Sequence, residues 1–454
     1  MRLKLTQIAA ACGGTVTNLT ADAVITSFAT DSRECGPGVL FVPIRGERVD
    51  GHDYIDKAFA AGSPAAFTEE EREIPGGALI RVQDCRAALQ KTAAWYRAQF
   101  DCPIVGVTGS VGKTTLKEMV AQTLSAKFNV HKTAGNQNSQ VGVPITVCGL
   151  KKEHTAAVIE MGVSMPGEMA RIASVVKPTC AVMSNVGVSH IEFMKTRENI
   201  LAEKAHIADF LPEGGALFVN GDDDLLPALK EKNGHKVFTY GLSPLCDWRA
   251  TELNEADKGT FFTCTGPGGE TAKLFVPAAG QHNVRNALAA IAVARFLGVS
   301  AEDAARALAA YKTPAMRQQI GTVGGLTIID DSYNASPDSM QSAIDVLCSR
   351  KAQKRAAVLA DMLELGDYAQ EGHFSVGQYA RAHGVELLVA VGELAKDIVR
   401  GYGEGAYHFA SNAEAAEFLK ETLSPGDALL VKGSRGMKTE EIIAALKERF
   451  GQEG

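Results

Sequence analysis

The stretch that decides the fold runs from residue 103 to residue 116 and reads Pro-Ile-Val-Gly-Val-Thr-Gly-Ser-Val-Gly-Lys-Thr-Thr-Leu. An apolar run leads into a glycine-rich turn and then into helix-forming sequence, which predicts a strand, a phosphate-binding loop and a helix. Gly109 and Gly112 can adopt backbone conformations that are closed to other residues, so that successive N–H groups and the helix N-terminus can face phosphate oxygens. The stretch therefore predicts a nucleotide-binding loop.

Individual residues of this loop suit individual tasks. Lys113 is placed to reach the β- and γ-phosphates, and Thr114 carries the hydroxyl expected on a nucleotide-bound Mg²⁺. Five residues rather than four separate Gly106 from Gly112, which departs from the spacing of ordinary P-loop kinases and GTPases. The alternative, a glycine turn followed by a surface lysine, accounts less well for the flanking strand and helix. The predicted nucleotide-binding residues of the loop are Thr108, Gly109, Ser110, Val111, Gly112, Lys113, Thr114 and Thr115.

Length and composition define the class of protein. A chain of 454 residues is too long for one core and predicts about three domains. A formal net charge of -7 does not indicate nucleic acid binding, so a small-molecule substrate is expected.

The sequence also predicts where the protein resides. No stretch approaches the length of a membrane span, which predicts a cytoplasmic protein with no membrane insertion. The cysteines form no C-x-x-C pair, which predicts reduced thiols. A monomer is expected.

The strand and helix patterns predict an α/β protein of three domains. Residues 1–100 carry short strand-like runs and a helix-like stretch at 86–99, and predict a small N-terminal α/β domain. Residues 101–312 alternate apolar runs with helical stretches, which predicts a central, mostly parallel sheet that carries the phosphate loop. The alternation resumes with new apolar runs, so residues 313–454 predict a C-terminal, Rossmann-like doubly wound domain.

Polar clusters follow several predicted strands, at the edge where ligands of parallel α/β sheets bind. Glu160 ends one central strand and His190 follows the next, so both are candidates for a metal site, although Mg²⁺ prefers oxygen ligands. Asn283 and Asn286 begin an alanine-rich helix, and helix capping explains only one of them. The glycine-rich stretch at 432–438 contains lysine and arginine and indicates an anion or carboxylate clamp rather than a second phosphate loop.

These motifs resemble those of the Mur ligases of peptidoglycan synthesis over essentially the whole chain. The resemblance is carried by Thr-Asp-Ser-Arg at 30–33, the loop at 106–115, Gly-Asn-Gln-Asn-Ser-Gln-Val-Gly-Val-Pro at 135–144, Glu-Met-Gly at 160–162 and His-Asn-Val-Arg-Asn at 282–286. The motifs at 330–340, 361–366 and 433–438 look like those of the family member that adds D-alanyl-D-alanine. The Asp-Asn-Pro-Arg motif of the diamino-acid-adding member is absent.

The resemblance implies an ATP-dependent ligase that joins D-Ala-D-Ala to UDP-MurNAc-tripeptide through an acyl phosphate. Whether the tripeptide ends in lysine or meso-diaminopimelate stays open. The implied nucleotide contacts outside the loop are Asn286 at the adenine, Asp331 at the ribose and Arg317 as a further cation. Two Mg²⁺ ions are implied, and their ligands would be Thr114, Glu160, His190 and Lys204.

Lys204 would take this role as a carbamate formed with CO₂, because an ammonium group cannot bind a metal ion. The alternative is a solvated helix lysine that pairs with Glu203 or Asp209. The implied catalytic residues are Lys113, Lys204, His190 and Arg317.

The same resemblance places Ser32 and Arg33 at the UDP group. The other implied substrate-binding residues are Asn136, Asn138, Ser139, Tyr333, Asn334, Ser434, Arg435 and Lys438. Two other functions stay open. A ligase similar to folylpolyglutamate synthase would share the ATP architecture but would not need the domain that precedes the loop, and a P-loop switch or partitioning-type ATPase would not need both small substrates.

Overall fold

The computed structural model describes residues 1–19, 21–46, 49–72, 74–256 and 258–451. Sheets of five, ten and six strands follow one another along the chain, and a two-stranded ribbon lies near the N-terminus. Helices pack against these sheets, as the alternation of apolar runs and helical stretches predicts. Within the described ranges, no helix combines the length and the apolar character needed to cross a bilayer.

Short strands build the first sheet. The elements of this part are β1 (Leu3–Lys4), α1 (Leu5–Cys12), β2 (Thr15–Thr17), β3 (Val24–Ile25), β4 (Ser27–Ala29), β5 (Val39–Phe41), α2 (Ile55–Ala60), β6 (Ala65–Thr68), β7 (Ala78–Arg81) and α3 (Cys85–Arg97). The sheet order is β2-β7-β6-β5-β4, and only β2 runs antiparallel to its neighbour. Helix α3 begins where the Asp84 carboxylate accepts a hydrogen bond from the N–H of Ala87 at 2.7 Å, which is the chemistry of an N-cap.

The central sheet carries the phosphate loop. Its elements are β8 (Ile104–Thr108), α4 (Lys113–Leu124), β9 (Val130–Lys132), α5 (Gly142–Cys148), β10 (Ala156–Glu160), α6 (Glu168–Val176), β11 (Cys180–Met183), α7 (Ile191–Met194), α8 (Arg197–Ala205), β12 (Ala216–Asn220), β13 (Glu231–Lys232), β14 (His235–Gly241), β15 (Trp248–Ala256), β16 (Gly259–Thr265), β17 (Thr271–Val276), α9 (Gln281–Phe296) and α10 (Ala301–Ala309). Strand β8 lies between β10 and β11 and is parallel to both. The polar residues that end these three strands therefore meet at one edge.

One edge of the central sheet differs from the prediction of strands separated by helices. Strands β15, β16 and β17 are antiparallel neighbours joined by short connections. Trp248, Phe262 and Leu274 are buried on one face of this extension, whereas Phe261 on the other face is exposed. Alternation with a period of two residues, which produces this one-sided burial, is typical of an antiparallel strand and not of a helix.

The third sheet is parallel except at one edge. Its elements are β18 (Gln319–Val323), β19 (Leu326–Asp331), α11 (Pro337–Cys348), β20 (Arg355–Ala360), α12 (Ala369–Ala382), β21 (Leu387–Val391), α13 (Lys396–Tyr402), β22 (Ala406–Phe409), α14 (Asn412–Thr422), β23 (Ala428–Lys432) and α15 (Glu440–Phe450). The order is β18-β19-β23-β20-β21-β22, with β18 antiparallel to β19. Buried apolar clusters cover both faces of this sheet, as expected for doubly wound strands.

Alternate residues of β8 join different cores. Val105 and Val107 pack in a cluster with residues of α4 and α9. Ile104 packs on the other face, in a cluster that continues into the apolar residues of the first sheet. Because successive side chains of a strand point to opposite faces, β8 anchors the phosphate loop between two packed layers.

Candidate active site

The phosphate loop connects β8 to α4, as predicted. Gly109 has a φ of 146° and Gly112 a φ of 81°, and a Cβ on Gly109 would lie 1.9 Å from Oγ of Ser184. Both the backbone and the close neighbour therefore require glycine at position 109. Within the described part of the chain, no group accepts a hydrogen bond from the N–H groups of residues 113–115, so the first turn of α4 offers these donors to an anion.

The segment that follows β11 holds the first half of the loop. The N–H of Ser110 donates to the carbonyl oxygen of Asn185 at 3.0 Å, and the N–H of Val111 donates to Oδ1 of Asn185 at 2.8 Å. Thr108 is buried, and its hydroxyl donates to the carbonyl oxygen of Met161. Two of the loop amides are thus committed to the protein, and the amides that remain for a phosphate lie closer to α4.

A cavity of about 820 Å³ lies between the loop, the carboxyl ends of β10 and β11, and the C-terminal sheet. Most of the predicted site residues line it. They are Ser110, Val111, Gly112, Lys113, Thr114, Thr115, Asn136, Asn138, Ser139, Glu160, His190, Asn286, Arg317, Asp331, Tyr333, Asn334, Ser434 and Arg435. The other predicted residues, which are Ser32, Arg33, Thr108, Gly109, Lys204 and Lys438, do not line it.

Two lysines meet beneath the loop. Nζ of Lys113 donates to the carbonyl oxygens of Gly109 and Ser110 at 2.9 and 3.1 Å. Nζ of Lys204 donates to the same oxygen of Gly109 at 3.1 Å, and Lys204 is only 2% exposed. Burial lowers the pKa of Lys113, and burial together with the charge of Lys113 lowers the pKa of Lys204 well below the ordinary value. Lys204 is therefore buried, and the alternative prediction of a solvated helix lysine paired with Glu203 or Asp209 is wrong.

Glu160 occupies the end of β10, beside the loop, and is 1% exposed. Its Oε1 accepts hydrogen bonds from Oγ1 of Thr114 at 3.1 Å and from Nδ2 of Asn138 at 2.8 Å. Its Oε2 is shielded from solvent and has no hydrogen-bond partner among the described residues. A buried carboxylate oxygen without a partner is costly unless a cation satisfies it.

His190 joins the central sheet to the C-terminal sheet. Its backbone has a φ of 62°, and Glu364 on the opposite side has a φ of 63°. Nδ1 of His190 lies 2.9 Å from Oε2 of Glu364, and the histidine lowers the pKa of that carboxyl. Two strained backbone positions thus support one polar contact across the cavity.

Arg317 lies at the connection between the two large sheets. The flanking residues Met316 and Gln318 have φ values of 60° and 51°, so a strained turn carries the arginine. Its guanidinium lies 4.0 Å from the centre of the Tyr333 ring, which fixes a cation at the cavity wall.

Asp331 and Lys432 face each other across paired strands, in direct register between β19 and β23. Nζ of Lys432 donates to Oδ2 of Asp331 at 2.6 Å and to the carbonyl oxygen of Asn334 at 2.9 Å. Oδ1 of Asp331 accepts a hydrogen bond from the N–H of Gln318 at 3.2 Å. The predicted ribose-binding carboxylate is therefore already held in place by the protein.

Arg33 and Lys438 lie away from the cavity. Arg33 is exposed, and its guanidinium forms an ion pair with Asp31, which also accepts a hydrogen bond from the N–H of Arg33 at 2.9 Å. Lys438 directly follows the short turn at Arg435–Met437. The guanidinium of Arg435 contacts the carboxylate of Glu440 at 2.8 Å. Neither residue contacts the loop.

Three charged residues that the C-terminal part contributes to the cavity were missed in the sequence, namely Lys432, Glu364 and Asp338. Lys432 and Glu364 belong to polar clusters that follow apolar runs, so their position was a signal. Asp338 follows Pro337 at the start of a helix, where an acidic residue is ordinary, and no sequence signal distinguished it.

The fold and the cavity define a P-loop nucleotide-binding protein whose phosphate loop faces a second α/β unit. The chain belongs to the Mur ligase family. Family models match at residues 24–97 (Mur ligase family, catalytic domain), 107–294 (Mur ligase middle domain) and 316–435 (Mur ligase, glutamate ligase domain).

Individual relatives are similar over nearly the whole chain. The UDP-N-acetylmuramoyl-tripeptide--D-alanyl-D-alanine ligase of Bacillus subtilis is 37% identical over 94% of both chains. The crystal structure of MurF from Acinetobacter baumannii matches with a TM-score of 0.92, 31% identity and 99% coverage of both chains. MurF ligase from Thermotoga maritima in complex with ADP matches with a TM-score of 0.84 and 28% identity, over 94% of this chain and 98% of that one.

Proposed function

We propose that this protein is an ATP-dependent ligase that joins D-alanyl-D-alanine to UDP-N-acetylmuramoyl-tripeptide in peptidoglycan synthesis. One observation carries this function. The B. subtilis ligase of that name is similar over 94% of both chains, so the correspondence includes the sheet before the loop and the C-terminal motifs. A folylpolyglutamate-synthase-like ligase would leave the sheet before the loop without a purpose, and a P-loop switch would not need both small substrates. Because ATP is abundant in the cytoplasm, we place the reaction there.

The nucleotide binds with its phosphates at the first turn of α4. The free N–H groups of residues 113–115 and Nζ of Lys113, once it leaves the loop carbonyls, neutralise the β- and γ-phosphates. Asn286 contacts the adenine and Asp331 the ribose. Arg317 supplies a further cation from the opposite wall of the cavity, which favours the charge that develops during phosphoryl transfer.

Two chemical steps follow. A carboxylate oxygen of the tripeptide terminus forms a bond to the γ-phosphorus as the bond to the β,γ-bridging oxygen breaks, which gives an acyl phosphate (a mixed anhydride) and releases ADP. The amine of D-Ala-D-Ala then attacks the acyl carbon through a tetrahedral intermediate, and inorganic phosphate leaves as the amide forms. Positioning and charge neutralisation supply most of the catalysis of the first step.

The substrate contacts divide between two parts of the molecule. Ser32 and Arg33 hold the UDP group, whereas the cavity holds the reacting ends. The proposed cavity contacts are Asn136, Asn138, Ser139, Tyr333, Asn334, Ser434 and Arg435. Lys438 remains a candidate for the incoming substrates, since it follows the same turn as Arg435.

The residues beside the loop fit magnesium. Oε2 of Glu160 is buried without a partner, and Oγ1 of Thr114 lies against the other oxygen of the same carboxylate; both are the hard oxygen donors that Mg²⁺ prefers. Glu160 and Thr114 would hold one ion, and His190 is the weaker candidate ligand for a second. Bound Mg²⁺ would neutralise the phosphate charge.

Lys204 suits conversion to a carbamate. Its depressed pKa favours the neutral amine, whose lone pair can form a bond to the carbon of CO₂ with release of one proton. The product carries anionic oxygens and would be able to hold magnesium, and it would also relieve the crowding of two amines at one carbonyl oxygen. Carbon-13 NMR of the protein in labelled bicarbonate should show a carbamate signal that Lys204→Met lacks; a signal equal in both proteins would contradict the assignment.

Mass spectrometry tests the function directly. The purified protein is incubated with UDP-MurNAc-tripeptide, D-Ala-D-Ala and ATP, and in parallel with each component omitted. We expect UDP-MurNAc-pentapeptide and ADP only in the complete mixture. ATP hydrolysis without the small substrates would favour the switch, and glutamylation of a folate would favour the rival ligase.

A further inference from the structure

One carboxylate in the cavity differs from all the others. The acidic residues among the described residues of the lining are Glu160, Glu168, Asp331, Asp338 and Glu364. Four of them are engaged, with Thr114, the N–H of Ser164, Lys432 and His190 respectively. Asp338 differs because no side chain among the described residues binds its carboxylate, and its Oδ2 is shielded from solvent without a hydrogen-bond partner.

Asp338 lies next to the phosphate loop. Its Oδ2 packs against Gly187, where a Cβ would lie 1.9 Å from that oxygen and 3.6 Å from Cβ of Ser110. The carboxylate therefore occupies the space that a side chain at Gly187 would fill, close to Ser110 of the loop. The N–H of Val188 also faces the carboxylate, and no hydrogen bond reaches its Oδ2.

The charged neighbours do not neutralise this carboxylate. Arg197, Asp223, Asp224 and the hydroxyl of Tyr368 face it, and the guanidinium of Arg197 is already bound to Asp224 and to the carbonyl oxygen of Val186. Burial raises the pKa of Asp338, which makes it a stronger proton acceptor than an exposed aspartate. The dipole of α11 explains why an acid stands in the first turn but not why it lacks a partner.

We propose that Asp338 accepts the proton of the amine that attacks the acyl phosphate. This role rests on the proposed ligase function, because an α-amino group is largely an ammonium at neutral pH and has no lone pair for attack. The unpartnered carboxylate of Asp338 beside the loop is the acceptor that such an ammonium needs.

The proton balance is complete with the groups present. One N–H proton passes to the Asp338 carboxylate, and the freed lone pair forms the C–N bond. The bond between the acyl carbon and the phosphate oxygen then breaks, and the phosphate leaves with its bonding electron pair. The second N–H proton goes to the departing phosphate, and Asp338 returns its proton to water.

Hydroxylamine separates the two steps, since it is largely neutral at pH 7 and traps an acyl phosphate as a hydroxamate without a base. In Asp338→Asn, we expect hydroxamate formation at close to the wild-type rate. Amide formation with D-Ala-D-Ala should fall by about 10²- to 10⁴-fold at pH 7. The deficit should narrow as the pH rises through the pKa of the amine, about 8.

Two further variants control for folding. Asp338→Glu keeps a carboxylate and should retain more amide formation than Asp338→Asn. Asp345→Asn changes the same helix at an aspartate whose partner is the hydroxyl of Tyr379 and that does not line the cavity, and it should leave both products unchanged.

Other outcomes would overturn the role of Asp338. An Asp338→Asn protein that loses hydroxamate and amide equally, or whose deficit does not change with pH, would show that Asp338 acts before the amine or only supports the fold. A wild-type protein that forms neither product would instead contradict the ligase function itself.

Discussion

Lys113 and Lys204 donate hydrogen bonds from Nζ to one carbonyl oxygen, that of Gly109, at 2.9 and 3.1 Å. Lys113 begins the helix after the phosphate loop, whereas Lys204 belongs to α8. Gly109 and Lys204 are 95 positions apart along the chain. Two ammonium groups at one acceptor repel each other, and burial makes the repulsion stronger. The contact therefore favours a charged Lys113 and a neutral Lys204, and it links the loop to the residue proposed to carry a carbamate.

Lys113→Ala should abolish ligation. The variant removes the cation that the loop directs at the β- and γ-phosphates, at a cost on the order of 3 kcal/mol or more in transition-state stabilisation, which is about 100-fold in rate. Pentapeptide formation measured by mass spectrometry checks this. Lys152→Ala, at an exposed position outside the cavity, is the matched control and should stay active. Near-normal turnover in a folded Lys113→Ala protein would contradict the loop assignment.

Lys204→Ala should be nearly inactive and should recover part of its activity with added short-chain carboxylates. Removal of the side chain leaves a space that a small carboxylate can enter, and that carboxylate would supply the anionic oxygens of the carbamate. Lys204→Arg should not recover, because the guanidinium stays charged and fills the space. Steady-state rates with and without acetate or propionate measure the effect, and a fully active Lys204→Ala protein would show that no carbamate is needed.

Lys432→Met should destabilise the C-terminal part and weaken nucleotide binding. The substitution leaves the Asp331 carboxylate without its cation in a pair whose side chains are 3% and 12% exposed, and breaking such a buried pair costs about 3 kcal/mol. Urea denaturation and calorimetry with ADP measure the two effects. In the double variant Lys432→Met, Asp331→Asn, stability should recover while nucleotide affinity stays low. Recovery of both would mean that Asp331 does not contact the ribose.

The Asp31–Arg33 pair should not change its charge in the working pH range. The hydrogen bond from Arg33 lowers the pKa of Asp31 from 3.8 to about 2. Because this folded-state pKa is depressed, the stabilisation is fully present above about pH 4 and is lost only as the pH falls towards 2. Asp31→Asn should raise the KM for the UDP-linked substrate at every pH from 5 to 9 with kcat unchanged. Asp22→Asn, at another exposed N-terminal aspartate bonded to Thr6, serves as control, and an equal KM in both variants would contradict the UDP contact.

Local sequence predicted the elements that depend on local chemistry. Residues 103–116 contain their own strand, glycines and helix start, so the loop and the positive φ values at Gly109 and Gly112 could be predicted before any contact was known. The edge strands β15 to β17 were missed, because the interpretation of residues 241–280 extended the strand and helix alternation of the preceding stretch. Antiparallel strands are recognised by apolar and polar residues that alternate with a period of two, and not by apolar runs separated by helices.

The sequence by itself determined the α/β class, the phosphate loop, the order of its parts and the resemblance that indicates the family. Tertiary structure alone decided which distant side chains share a partner, because burial and charge depend on what packs nearby rather than on neighbours in the chain. Lys204 illustrates this, since its sequence fits a solvated helix position while packing against Gly109 removes it from water. Asp338 and Lys432 likewise acquire their distinct environments only when the C-terminal sheet faces the loop across the cavity.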